Sequence, residues 1–150
     1  EKGLAYDVID AVLSIDKSNI NDIYQRVVAL QQFKNEAEFA DLMVVFNRSH
    51  NLSKKWHSNQ VQIENLVDPS ELKLLERVRL LQSELGAYIK TASYDQALHS
   101  LASLRPAVDE FFNAVMVMVE EEALKNNRLS LLKSIADLSR LIADFSKIVG

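Results

Sequence analysis

His50, His57 and His99 are the only imidazoles in a 150-residue chain that has no cysteine. Disulfides, thiolate metal sites and cysteine nucleophiles are therefore excluded. His50 and His57 are seven residues apart, two helical turns, and would share a face if their helix continued past Lys55. A metal site needs three or four ligands and no His-Glu-x-x-His pattern is present, so each histidine reads as solvated or at a core edge. Neither a glycine-rich phosphate loop nor a Gly-x-Ser-x-Gly elbow occurs. Glu120, Glu121 and Glu122 stand where a helix is expected to begin, and there the helix dipole accounts for them without acid–base work. No catalytic residue and no metal ligand is assigned. The segment itself reads as non-catalytic, and its service to an enzyme is left open by these residues.

The basic residues divide into two groups. Lys133, Arg140 and Lys147 recur every seven residues, each three or four from Asp137 or Asp144, so they form weak surface pairs on a solvated face. Around Phe46 the pattern differs. Arg48, Asn51 and Lys55 share an arc opposite the apolar residues Phe39, Leu42, Met43 and Phe46, with Asn47 and Lys54 beside them and Val44 on the same arc. No acid occurs between Asp41 and Glu64, so the arc is expected to be an unneutralised basic face, with His50 and Trp56 nearby. Lysine and arginine supply phosphate contacts, asparagine pairs with base edges, and an aromatic ring stacks on an unpaired base. An ordinary solvated helix face leading into a loop is the competing reading of the same residues.

Helices must position these groups, because apolar periodicity is helical nearly everywhere and no hairpin signal appears. Leu4, Val8, Val12 and Ile15 mark a first helix, Asp16 to Asn19 a polar break, and Ile20, Ile23, Val27 and Leu30 a second. Asn35 with Glu38 is expected to cap the third, and Ser93 with Gln96 a later one. Trp56 to Val67 reads as a loop. Asp68-Pro69-Ser70-Glu71 is a helix start followed by Leu74, Leu75, Val78, Leu81 and Leu85, ending near Gly86 or continuing to Ile89. Pro106 ends or kinks a helix at about Arg105. Val115 to Val119 reads as a helix end plus a buried connection. From Glu120 the stripe Leu124, Leu131, Ile135, Leu138, Ile142, Phe145 and Val149 marks a helix that is either the spine of the fold or broken once. Asn127 and Arg128 fill the gap in that stripe. A partly buried arginine needs a partner, with Asp109 or a free carbonyl of the preceding helix end as candidates, so the three are assigned a structural role. The expectation is one all-α domain over residues 1–150, a bundle of six or seven helices.

Composition agrees: 48% apolar and 25% charged residues with three glycines and two prolines describe a globular chain of long helices. No apolar run approaches bilayer length and no signal-peptide pattern opens the chain. The lack of cysteine leans toward a cytoplasmic location. Net charge is −4, against indiscriminate phosphate binding, and neither a membrane nor DNA is expected as a partner. Starting at Glu1 rather than Met, the sequence is expected to be a fragment of a longer polypeptide.

Several stretches carry a family resemblance. They are Tyr6-Asp7-Val8-Ile9-Asp10-Ala11-Val12-Leu13, Asp22 to Leu30 with Phe33-Lys34, Arg48 with Asn51-Leu52, Leu101 to Val119 with Phe111-Phe112 and Val115-Met116-Val117-Met118, and Asn127-Arg128-Leu129. In this order they resemble the C-terminal region of the β subunit of bacterial-type glycyl-tRNA synthetase, over nearly the whole chain. The four letters naming the DALR fold fall here on Glu122-Ala123-Leu124-Lys125, and a lysine frequent in the family before Arg48 is Asn47 here. The resemblance implies an all-helical DALR-type anticodon-binding domain that holds the anticodon arm of a glycine tRNA, and the arc of Arg48, Asn51 and Lys55, with Lys54 and Asn47 beside it, is the expected contact. It also implies that glycylation, with ATP and magnesium, takes place on the α subunit, reached through the rest of the β subunit, and that this domain carries no cofactor. A helical protein-interaction or structural module that binds no RNA is the alternative.

Overall fold

The computed structural model describes residues 5–15 and 19–148. Leu4, Val149 and the break at residues 16–18 lie outside them. Among the described residues there are seven α-helices, two short 3₁₀ turns and no strand, so the all-α expectation holds. The helices are α1 (Tyr6–Leu13), α2 (Ile20–Phe33), α3 (Glu38–Ser53), α4 (Pro69–Lys90), α5 (Tyr94–Ala102), α6 (Arg105–Ala114) and α7 (Glu122–Arg140). The 3₁₀ turns are Ile63–Asn65 and Phe145–Lys147. No helix among the described residues is long and apolar enough to cross a membrane.

Helices α3 and α7 form the most extensive packed pair, with α5 wedged against α2, α3 and α4, and α6 against α4 and α3. The core between them contains Phe33, Leu42, Phe46, Leu74, Leu85, Leu98, Phe111, Leu131 and Phe145, each essentially inaccessible. Tertiary burial of these apolar stripes, more than local propensity, holds the helices.

Helix starts show where local chemistry decided the structure and where it did not. At α4, Asp68 Oδ1 accepts from the Ser70 N–H at 2.9 Å and Glu71 Oε1 accepts from the Asp68 N–H at 2.8 Å, a full capping box with Pro69 in the first turn. The helix then runs past Gly86 to Lys90. The two other expected boxes do not form. Helix α3 begins after Ala37 with no side-chain cap, because the Asn35 and Glu36 N–H groups already close the preceding turn onto the Gln32 and Phe33 carbonyls. At α5, Ser93 spends its hydroxyl on Thr91, 2.8 Å away, and caps nothing. Pro106 lies in the first turn of α6, after a turn at Ser103 and Leu104 that separates it from α5.

The last apolar stripe is broken once. Helix α7 ends at Arg140, a length of roughly 28 Å at the usual rise per residue. Neither glycine nor proline marks the spot. Arg26 instead donates to the Leu141 and Ile142 carbonyls at 2.7 and 2.9 Å, and the Asp144 N–H donates to the Ala11 carbonyl at 2.9 Å. Distant groups thus take up the backbone that a further turn of α7 would have used. The 115–119 connection also departs from expectation: Val117 is buried, but Met116 and Met118 are exposed on either side of it. The chain bends at Val117 and Met118, where the Val119 N–H closes onto the Val117 carbonyl, and among Met116, Val117 and Met118 only Val117 turns to the core.

Candidate functional site

Arg128 is 6% exposed on α7. Its Nε donates to Glu71 Oε2 at 2.7 Å and its Nη1 to the Met116 carbonyl at 2.7 Å. The carbonyl of the segment after α6 is thus one partner, but the carboxylate is Glu71 and not Asp109. Glu71 is held where the capping box put it, its other oxygen accepting the Val67 and Asp68 N–H groups. Burial pushes the Glu71 carboxyl up, yet the Arg128 guanidinium and those two backbone donors prevail and hold it below the usual carboxylate range. Immediately before Arg128, Asn127 is saturated by the main chain of Gln62: the Gln62 N–H donates to Asn127 Oδ1 at 2.6 Å, and Asn127 Nδ2 donates to the Gln62 carbonyl at 3.0 Å. Both residues are therefore spent on holding α7 to α4, the 115–119 connection and the 56–65 loop.

Asp109 serves elsewhere. It accepts from Arg48 Nη1 at 3.1 Å and from Arg105 Nε at 3.0 Å, while Arg105 Nη1 reaches Asp41 at 3.0 Å. The Arg48 guanidinium also lies 4.5 Å from the Phe112 ring centre. The expectation of an unneutralised arc is corrected here. Arg48 is paired with an acid 61 residues away, which α6 delivers to the α3 surface. Asn47, Asn51, Lys54 and Lys55 are exposed and have no side-chain partner among the described residues. The structure therefore brings the five residues to one edge of α3, neutralises one, and leaves the pair of lysines at the helix end open to solvent.

The histidines sort differently from one another. His50 stacks on Phe46 at 5.0 Å and His57 lies 5.0 Å from Trp56, so the two do not share a site. His99, taken above as solvated or at a core edge, bridges two acids: Nε2 is 2.8 Å from Glu36 Oε1, and Nδ1 is 2.9 Å from the Asp95 carbonyl and 3.6 Å from its carboxylate. The bond from the Asp95 backbone, followed by Glu36, raises the His99 pKa above its ordinary value. Glu36, Asp95 and His99 are close enough together to suggest a metal site. In this arrangement the two acids flank opposite edges of the ring, Glu36 at Nε2 and Asp95 at Nδ1. The arrangement is a charge-assisted latch between α5 and the α2–α3 connection.

A second buried arginine was not apparent in the sequence. Arg26 on α2 pairs with Asp22 at 2.8 Å, donates to the two carbonyls after α7, and lies 4.7 Å from the Tyr94 ring centre. The Tyr94 hydroxyl donates to Asp22, and its pKa is pushed up to about 12 by burial and by that carboxylate. Asp22 and Arg26 at i and i+4 look like any surface pair; only the fold shows them covered.

A family model, the DALR anticodon binding domain, matches residues 42–145. The chain belongs to the DALR anticodon-binding domain family. This DALR domain is 47% identical over 149 residues to the glycine–tRNA ligase beta subunit of Syntrophomonas wolfei, covering 99% of the chain and 22% of that protein. It is 42% identical to the corresponding subunit of Desulforamulus reducens and 39% identical to that of Clostridioides difficile, covering 99% and 98% of the chain and 21% of each relative. The DALR domain thus spans about a fifth of the length of the curated relatives it matches. The family match begins at Leu42, inside α3, so α1 and α2 stand ahead of the matched region.

Proposed function

We propose that this DALR domain holds the anticodon arm of a glycine tRNA for a glycine–tRNA ligase and contributes binding without bond chemistry. The observation that carries the proposal is the family match, joined to similarity over almost the whole chain to several glycine–tRNA ligase beta subunits. In this reading ATP, magnesium and glycine are handled on the α subunit, which the domain reaches through the remainder of a β subunit in the cytoplasm. A module that docks only on protein is not favoured by that match.

On the domain itself, the exposed end of α3 is the best-supported contact. Lys54 and Lys55 are free to meet phosphates, Asn47 and Asn51 can reach bases or sugars, and Arg48 joins them when Asp109 releases it. With a net charge of −4, the domain depends on such local cations, and binding falls steeply with salt. The test is Lys54→Ala/Lys55→Ala in the intact synthetase. The KM for glycine tRNA rises, kcat holds, and the slope of log affinity against log salt flattens by about one unit per lysine. An unchanged KM and an unchanged slope would remove the lysines from the interface.

A further inference from the structure

Beyond the lysines at the end of α3, a cavity of about 260 Å³ opens between the 56–65 loop and the first half of α7. It is smaller than sites for drug-sized ligands, roughly 300–1,000 Å³. Trp56, Gln60, Gln62, Asn65, Asn126 and Ser130 line it, and no lining residue is charged. Trp56 is half-buried and fixed there, its indole N–H donating to Ser130 Oγ at 2.9 Å. Asn127 also reaches the wall, but its amide is consumed by the Gln62 main chain.

The side-chain amides of Gln60, Gln62, Asn65 and Asn126 have no hydrogen-bond partner among the described residues. Four free amides converge on one small concavity beside an aromatic ring. Each presents an N–H donor and a C=O acceptor side by side, the complement of a base edge. A neutral wall gives a phosphate, a metal ion or an acidic peptide nothing to pair with. A planar group rich in donors and acceptors is matched by both the amides and the ring. The nearby charges are not among the lining residues: Lys54 and Lys55 immediately precede Trp56, Glu64 stands between Gln62 and Asn65 in the loop, and Glu122 pairs with Lys125 at 3.3 Å on α7. A nucleotide backbone approaching from the lysine side would meet cations first and the amides next.

We propose that this cavity receives one unstacked base of the anticodon loop, with a neighbouring phosphate on Lys54 or Lys55. The proposal rests on the tRNA-binding reading above and adds the place where a base is read.

The experiment uses the intact synthetase with Gln62→Ala/Asn126→Ala, two side chains without partners, so the melting temperature should not move. KM is measured for glycine tRNA and for the same tRNA made abasic at one anticodon-loop position at a time. The double variant should raise KM roughly tenfold with kcat unchanged, the scale of losing a paired base edge. At one abasic position the unmodified enzyme should lose the same factor, and the variant should lose no more. Should Lys54→Ala/Lys55→Ala raise KM while the amide variant does not, the cavity is not a base site although the domain still binds tRNA. Should neither variant change KM, the tRNA-binding reading falls and the base site with it. A loss of equal size for every abasic tRNA would also overturn the proposal, since the contact would then not be to a base.

Discussion

Arg128 and Arg48 both leave a helix to meet a carboxylate on another one, yet they serve opposite ends. The Arg128–Glu71 pair is 7% and 1% exposed, closed at 2.7 Å and tied to three backbone groups. The Arg48–Asp109 pair is 43% and 39% exposed at 3.1 Å, and its acid is shared with Arg105. A buried charge that loses its partner has no water to turn to, so the first pair holds architecture. An exposed pair exchanges its partner for water or phosphate at little cost, so the second leaves Arg48 available to a ligand. Burial separates the clamp from the proposed contact where residue type does not.

Breaking the clamp has the largest expected effect. Arg128→Ala strands Glu71 and the Met116 carbonyl and should destabilise the fold by about 3–5 kcal/mol in urea unfolding. A loss under 1 kcal/mol would show that water reaches Glu71 and that the contrast with Arg48 is false. Arg26→Ala comes next, at about 2–3 kcal/mol, because Asp22 keeps the Tyr94 hydroxyl as a partner while two carbonyls lose their donor. Arg48→Ala should cost under about 1 kcal/mol, with the exposed pair discounted for solvent screening, while weakening tRNA binding. Full stability with unaltered tRNA binding would make Arg48 an ordinary surface residue.

The smallest expected effect comes from His99. Its pKa is raised in the folded chain, so the charged imidazolium bound between Asp95 and Glu36 stabilises the fold fully below the ordinary histidine value. That contribution disappears as pH rises through the raised folded value. His99→Gln should therefore flatten the stability profile in that window and leave the alkaline side unchanged. A profile identical to that of the unmodified protein would mean the latch carries no net energy. Glu71 has the opposite sign: its lowered carboxyl contributes above the usual carboxylate range, and the contribution fades as acid protonates it.

Much of the fold was legible in the sequence because helical periodicity and one complete cap, Asp68-Pro69-Ser70-Glu71, report on local chemistry. Asn35 and Ser93 misled for a shared reason. A capping sequence states what a side chain is able to do, and neighbouring turns had already claimed the N–H groups or the hydroxyl. The break after Arg140 carries neither glycine nor proline; Asp144, which accepts the Ser146 N–H, marks it locally, while the freed carbonyls are held by Arg26, 115 residues from Leu141. The edge of α3 was visible as a run without acids, but its neutralisation by Asp109 depends on how α6 packs. The amide cavity was harder still: Gln60, Gln62 and Asn65 read as a polar loop until Asn127 fastens that loop to α7.

Arg26 joins residues more than a hundred positions apart, and the Ala11 carbonyl meets the Asp144 N–H across a longer span still. Contacts that close such large loops form late, because the chain must give up most of its freedom before they can be made. The seam joining α1 and α2 to residues 141–148 therefore governs how long the folded state lasts more than how quickly it is reached, and damage there should appear in the unfolding rate.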